Sequence, residues 1–354
     1  MIYLKQSFVL IVLVLFTEIA VGQEQNWDGT ISQDDGVTIV HNTATPLYAT
    51  ETIRLVQAFS IGGDEAFFED LPLHQVRGVA VDEEGAIYVS DGGNARVAVF
   101  DAAGQLVRTF GGPGSGPGEF EALSKIKIGG DGHLYTLDAK LRRVSSFTRD
   151  GNFLQSIAVK ERALDMAVGD DDELFLVTWQ FRPQDAQVAI YNTGGKRTGS
   201  LVTPLPSSHA VALTGNAGRI ARTPTALYYA FSYPYRIEHY DHSGVLQRII
   251  TREDDAFVAP ASPASAGGSV MGADLPNRIG GLGVAGDGTL VVHLQYEDKP
   301  GALDFFSPEG KFLQSIILPD EHRLGAVVGD AVYTYIGGQE ERAASVTKWH
   351  LEMK

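Results

Sequence analysis

Residues 76–112 read VRGVAVDEEGAIYVSDGGNARVAVFDAAGQLVRTFGG, and residues 120–157 repeat the pattern as FEALSKIKIGGDGHLYTLDAKLRRVSSFTRDGNFLQSI. Each stretch contains four short runs of alternating apolar residues, which are separated by turns that contain Gly and Asp. Alternation with a period of two predicts half-buried β-strands, and four strands in about 40 residues form one blade of a β-propeller. The repeat therefore predicts an all-β fold that is built from blades.

The number of repeats gives the number of blades. Nearly complete units span residues 76–112, 120–159, 163–202, 217–251 and 277–318, whereas residues 324–350 supply only three strands of a last unit. Residues 53–60 resemble the fourth strand of the first unit, and pairing them with the C-terminal strands would remove a free sheet edge. We predict a six-bladed β-propeller over residues 51–354, with its last blade closed by this N-terminal strand.

Three segments lie outside the repeat. Residues 1–22 carry Lys5, an apolar run at 7–16 and small residues at 20–22, which is typical of a cleavable signal peptide. The run is shorter than the roughly 20 residues that cross a bilayer, so we expect no membrane span after cleavage. Residues 23–50 are interpreted as an extended lead-in. Residues 252–276 are interpreted as a long inter-blade loop that is either a lid or a plain surface loop.

Composition limits the compartment and the partners. The chain has no Cys, which excludes disulfides and lipoprotein acylation, so the signal peptide predicts a periplasmic or secreted protein. The net charge is −16 at pH 7, which argues against nucleic acid and anionic membranes because both require a basic surface. A protein or a small polar ligand, including a cationic one, remains as the expected partner.

The strand-and-turn motif of the first unit also resembles a known group. It combines residues 79–82 (VAVD) with Gly85, residues 87–91 (IYVSD) and the loop 111–120 (GGPGSGPGEF). This combination resembles the NHL-type six-bladed β-propellers, and in particular the exported bacterial proteins of that architecture, over about residues 51–354. The resemblance implies the fold but no single function, because the fold hosts lyases, lactonases and pure binding modules. Residues 221–226 (ARTPTA) lack the usual turn, so the strand register within 203–235 stays open.

Candidate functional residues are expected where second strands end and where blades begin, because those loops surround one mouth of the central channel. Asp91 with Arg96, and Asp138 with Arg143, recur at a spacing of five, and we interpret both as ion pairs that fix a hairpin. Aromatic side chains at the mouth can stack on a ligand. The predicted ligand-binding residues are Arg77, Asp91, Trp179, Tyr233, His293 and His322.

Two functions of different classes fit these residues. The sequence has no Gly-x-Ser-x-Gly elbow, no phosphate-binding loop, no His-Glu-x-x-His and no Cys nucleophile. The first hypothesis is therefore an exported binding module that acts through the loops around its channel, without catalysis and without an assured cofactor. An envelope scaffold is a further alternative.

The second hypothesis is a metal-dependent lyase or lactonase-like hydrolase. His74, His293 and His322 fall on different blades near the predicted mouth and could hold Zn²⁺ with one position open for water. Asp91 or Asp138 would then act as a base or orient a neighbouring group. The acidic runs 170–173 and 253–255 offer oxygens for Ca²⁺, but their spacing favours solvated turns.

Overall fold

The computed structural model describes residues 26–48, 51–63, 72–171, 173–179, 182, 185–206, 214–257, 275, 277–338 and 343–353, and most of these residues lie in β-strands. The predicted signal peptide and most of the 252–276 loop lie outside the described residues. Within the described part of the chain, no helix has both the length and the apolar character needed to cross a membrane.

The strands form six sheets, which confirms the predicted all-β, six-bladed β-propeller. The N-terminal segment forms β1 (Thr30–Asp34), β2 (Val37–Asn42) and β3 (Ile53–Gly62). Blade 1 contains β4 (Val76–Val81), β5 (Ile87–Asp91), β6 (Arg96–Phe100) and β7 (Leu106–Gly111), with a 3₁₀ turn at Gly92–Asn94. Blade 2 contains β8 (Leu123–Ile128), β9 (Leu134–Asp138), β10 (Arg143–Phe147) and β11 (Phe153–Ala158).

The remaining blades follow in chain order. Blade 3 contains β12 (Ala163–Val168), β13 (Leu174–Thr178), β14 (Val188–Tyr191) and β15 (Arg197–Leu201). Blade 4 contains β16 (Gly218–Thr223), β17 (Ala226–Phe231), β18 (Arg236–Asp241) and β19 (Leu246–Arg252). Blade 5 contains β20 (Arg278–Val284), β21 (Leu290–Gln295), β22 (Ala302–Phe306) and β23 (Phe312–Ile317). Blade 6 contains β24 (Arg323–Val328), β25 (Ala331–Ile336) and β26 (Ser345–Met353).

The missing strand of blade 6 is β3, as the sequence predicted. It pairs antiparallel with β26 from Ser345 opposite Gly62 to Met353 opposite Ile53, so a strand from the N-terminal part of the chain closes the ring with a C-terminal strand. Ile53 and Ile61 are buried, whereas Val56 on the same strand is exposed. The closing strand therefore contributes apolar contacts as well as hydrogen bonds.

The lead-in before β3 is more ordered than an extended tail. β1 and β2 form an antiparallel hairpin, and β2 adds in parallel to β19 at the outer edge of blade 4. The Asn42 side chain fixes this addition, because its amide donates to the carbonyls of Thr251 and Gly310 and its oxygen accepts from the Phe312 amide. The low apolar content of these residues concealed the hairpin, whose β1 side chains are all exposed.

The apolar core is divided among the blade interfaces. Six clusters of buried side chains each combine residues of two neighbouring blades, such as Tyr135 of blade 2 with Tyr191 of blade 3. This arrangement follows from the alternation in the strands, since both faces of each blade are covered by a neighbour. The open register in blade 4 resolves as a two-residue turn between Thr223 and Ala226, which pair directly.

A buried ionic network joins blades 4 and 5. Arg252 at the end of β19 lies 2.7 Å from Asp304 on β22 and 3.1 Å from Asp254, measured from its Nη1 to their carboxylate oxygens. Tyr235 donates to Asp304 at 2.7 Å, and Tyr296 donates to Asp254 at 3.1 Å. Asp304 is fully buried, and its negative charge is stabilised by the Arg252 guanidinium and by the Tyr235 hydroxyl.

Candidate ligand site in the central channel

The first strand of every blade lines the central channel. These strands contact one another in the order β4, β8, β12, β16, β20, β24 and back to β4. The channel has a cavity volume of about 30 Å³, which is enough for a small group or about two waters but not for a folded partner. The polar side chains of its wall come from blades 1 to 4 and 6: Arg77, Lys125, Lys127, Asp165, Arg219 and Tyr335.

Positive charge dominates this wall. Arg77, Lys125, Lys127 and Arg219 face one carboxylate, Asp165, although the whole chain carries a net charge of −16. The local sign is therefore opposite to the sign of the whole molecule. The negative net charge of the chain allowed a cationic ligand as an expectation. The positive wall of the channel instead favours an anionic ligand.

The two lysines of β8 differ from the arginines in their bonding. Arg219 donates to the carbonyls of Gly280 and Gly218, each at 2.8 Å, and Arg77 donates to the Gln75 side chain at 3.0 Å. The ammonium groups of Lys125 and Lys127 have no hydrogen bond or ion pair with any residue in the described ranges. Both lysines are half-buried, so solvent or a ligand in the channel can satisfy their donors.

The channel alters the acid–base properties of its side chains. Burial lowers the pKa of Lys127, and the Lys125 charge lowers it further, while Asp165 acts in the opposite direction. Burial alone would raise the pKa of Asp165, but Lys125, Lys127 and Arg219 hold it below its usual value. Asp165 is therefore ionised at neutral pH and partly offsets the surrounding cations.

A buried histidine lies behind the channel wall. His293 on β21 is 1% exposed, and its Nδ1 has no hydrogen-bond partner among the residues that the structure describes. Burial, followed by the charges of Arg323, Arg219 and Arg278, lowers the pKa of His293 to about 3. The imidazole is therefore neutral at pH 7, and protonating it would place a charge among three guanidinium groups.

Acid is expected to destabilise the protein through His293. Its pKa is about 3 in the folded chain and 6.5 as the ordinary value, so the unfolded chain binds the extra proton between those limits. The contribution of His293 to the free energy of unfolding is then fully present above pH 6.5, and it falls by up to about 1.4 kcal/mol for each pH unit below that value. Urea unfolding at pH 7 and at pH 5 measures this loss for the wild type and for the His293→Gln variant. The free energy of unfolding should fall less in the variant than in the wild type. His242→Gln, at an exposed position, is the control; equal losses in all three proteins would refute the assignment.

Asp91 is bonded within blade 1 and is not among the residues that line the channel cavity, so its contact with a ligand stays a prediction. Its carboxylate is fully buried, pairs with Arg96 Nε at 2.8 Å, and accepts from the His74 amide at 2.7 Å and from Asn94 at 2.8 Å. The predicted structural ion pair is thus formed in blade 1. These contacts fix the start of the blade, so the buried carboxylate has a structural role.

The second predicted ion pair is not formed. Asp138 accepts from the backbone amides of residues 121, 122, 140 and 141, which occupy its two oxygens. Arg143 instead donates to the carbonyls of Ser115, Gly116 and Glu119 in the Gly-rich loop. The same spacing of five therefore gives two arrangements, since backbone donors compete with the guanidinium for the carboxylate.

The predicted histidine metal site is not assembled. No group of three or more His, Cys, Asp or Glu side chains that could hold a metal ion occurs among the described residues, which include His74, His293 and His322. His322 Nδ1 lies 2.7 Å from the Thr334 hydroxyl, and its ring packs edge-on against Trp349. His293 is buried while His74 is exposed, so the three imidazoles meet different environments on different blades.

The predicted aromatic residues have mixed environments. Trp179 and Tyr233 follow the second strands of blades 3 and 4 and are half-buried, and their amides donate to the carbonyls of Arg162 and Gly215. Tyr235 is buried in the ionic network between blades 4 and 5. Contact of Trp179 and Tyr233 with a ligand stays a prediction.

Sequence reasoning placed Arg77 at the site but did not select Lys125, Lys127, Asp165 or Arg219. Their signal is present in the repeats, because Arg77, Lys125, Asp165 and Arg219 each occupy the second or third position of a blade's first strand. A superposition of the repeats on their first strands would reveal this charged position. The arginines at the first positions of β20 and β24 extend it around the ring.

Comparison with known proteins agrees with this architecture. The profile of a family described as "6-bladed beta-propeller" matches residues 69–255, which is more than half of the chain. No protein with a curated description matches the sequence.

Solved structures share the fold at low sequence identity. A candidate exported protein from Bacteroides fragilis superposes with a TM-score of 0.60 at 13% identity and covers 89% of this chain and 99% of its own. A protein from Bacteroides vulgatus gives a TM-score of 0.58 at 10% identity, covering 85% and 99%. The PQQ-bound aldose sugar dehydrogenase from Streptomyces coelicolor gives a TM-score of 0.51 at 14% identity, and the superposition covers 85% of this chain and 98% of that protein. Likeness at these identities establishes the fold alone.

Proposed function

The chain belongs to the six-bladed β-propeller family, and we propose that it is an exported binding module that holds an anionic ligand in its central channel. One observation carries this proposal: the ammonium groups of Lys125 and Lys127 line the channel without a hydrogen bond or ion pair to the described residues, and Asp165 is the one carboxylate of the described cavity wall, beside four cations. Buried or half-buried charges are normally paired, so a counter-charge from a ligand completes the site. The exported location is supported by the predicted signal peptide and by the Bacteroides fragilis neighbour.

The dimensions of the channel define which part of the ligand binds there. A cavity of about 30 Å³ admits a carboxylate or a phosphate group but not a whole large molecule. The rest of a larger ligand would lie over the mouth, where Arg77, Trp179 and Tyr233 are accessible. A guanidinium binds such a group through paired hydrogen bonds, and an ammonium acts as a point charge.

Titration calorimetry with malonate and with inorganic phosphate tests the proposal. The Lys125→Met/Lys127→Met variant keeps the side-chain volume but removes both charges, and it should bind at least about a hundredfold more weakly, since each charged hydrogen bond contributes about 1.5–3 kcal/mol. Lys140→Met is the matched control, because Lys140 belongs to the same blade but is exposed and paired with Glu121. Binding by the wild type should also weaken as salt is added.

Malonamide separates charge recognition from shape recognition, because it has the shape of malonate without its charge. The proposal requires that the wild type binds malonate and not malonamide. Equal affinity of the double variant and the Lys140→Met control for malonate would place the anion elsewhere. Absence of binding for both malonate and phosphate would refute an anion site in the channel.

A further inference from the structure

The side chain of Lys127 has the surroundings of a reactive amine. It lines the central channel from the fifth position of β8, and it has no hydrogen bond or ion pair with the described residues. A second ammonium, Lys125, lies two residues away on the same wall, and the Asp165 carboxylate lines the same cavity. Enzymes that use a lysine amine as a nucleophile create the same combination of desolvation and a neighbouring cation.

We propose that Lys127 forms a reversible imine with a small 2-oxo acid that is held in the channel. This inference rests on the proposed anion binding and names the ligand class for the same site. The acid's carboxylate is recognised by Arg77, Arg219 and Lys125, and its carbonyl group is directly attached to that carboxylate. Binding of the carboxylate therefore brings an electrophilic carbon into a cavity that also contains the Lys127 amine.

The protons of this step balance through solvent water. The ammonium of Lys127 releases one proton to water, and the free amine attacks the carbonyl carbon, so that a C–N bond forms. The former carbonyl oxygen then leaves as water, after taking up one proton from solvent and one from the nitrogen of the intermediate. The net reaction converts an ammonium and a carbonyl into a protonated imine and water, without oxidation, and Asp165 keeps its negative charge throughout.

Lys127 favours the reactive free amine, and Asp165 favours the protonated imine that is the product. The lowered pKa of Lys127 increases the share of free amine at neutral pH. Asp165 stays ionised because the surrounding cations hold its pKa down, so it can stabilise the positive charge of the protonated imine. An imine of this kind would retain the ligand more firmly than ionic contacts alone.

Reductive trapping tests the inference on the full-length protein. Glyoxylate with sodium cyanoborohydride should give one stable adduct, which peptide mass mapping locates on Lys127. The adduct should be lost in Lys127→Arg, which keeps the positive charge, and retained in Lys140→Arg, the matched control, because Lys140 is an exposed lysine of the same blade that is paired with Glu121. Excess malonate should suppress the adduct in the wild type, which requires no variant. Glycolate, which lacks the carbonyl, should give no adduct.

The outcomes separate this inference from the function on which it rests. If malonate binds in the channel but glyoxylate leaves no adduct on Lys127, the imine is refuted and the binding module stands. If the adduct is spread over exposed lysines and malonate does not suppress it, the imine is also refuted. If malonate and phosphate do not bind and no adduct forms, both proposals fail.

Discussion

Replacement of Arg252 by methionine is expected to lower the free energy of unfolding by about 3–5 kcal/mol, because it leaves a buried carboxylate without its counter-ion. Asp304 is fully buried and lies 2.7 Å from the guanidinium. The same guanidinium also lies over the ring of Phe312, with 4.2 Å between its carbon and the ring centroid. Methionine can keep part of this packing, so the predicted loss is mainly electrostatic.

Two measurements identify that cause. Burial raises the pKa of Asp304 and Arg252 opposes this rise, so removing Arg252 allows Asp304 to take up a proton more readily. A group whose folded pKa is raised favours the folded state at low pH, so the cost of Arg252→Met should be smaller at pH 5 than at pH 8. Adding Asp304→Asn should recover more than half of the loss in denaturant unfolding. No recovery would assign the loss to packing instead.

Shortening Ile61 to alanine is expected to destabilise the whole ring by about 2–5 kcal/mol, through lost burial and the cavity that remains. Ile61 is 1% exposed and belongs to the apolar cluster between blades 6 and 1. It lies on β3, the strand that completes the last blade from the other end of the chain. Loosening this strand should weaken both the blade and the closure of the ring.

Val56→Ala supplies the matched control on the same strand. Val56 pairs with His350 of β26, but its side chain is 42% exposed, so the substitution should change stability by less than about 0.5 kcal/mol. Thermal unfolding followed by circular dichroism compares the two variants. Similar small effects at both positions would show that β3 is dispensable for closure.

The fold could be predicted from the sequence because local and long-range signals agree. Turns such as Asp82 to Gly85 combine a side-chain acceptor with a glycine at φ +85°, which fixes the hairpin within a few residues. The last repeat contains only three of the four strands of a blade, which predicted that β3 pairs with it. The hairpin of β1 and β2 was missed because its strands bury little and attach only to an edge.

The channel site could not be predicted in the same way. Arg77 and Arg219 are separated by most of three blades in sequence and meet only because the ring closes. Whether a side chain of a first strand faces the channel or the next blade depends on blade twist and on bulges such as the one between Leu123 and Lys125. Net charge was also misleading, since it averages over a surface whose sign differs from that of the channel.

The position of the closing strand also has a consequence for the order in which the protein folds. β3 is among the first strands to be synthesised, yet Ile53 pairs with Met353, which is 300 positions later in the chain. Contacts that join such distant residues form slowly, because a long loop must close before they contribute. The ring therefore cannot be completed until β26 has been synthesised, so the blades that precede it remain in an open array until that point.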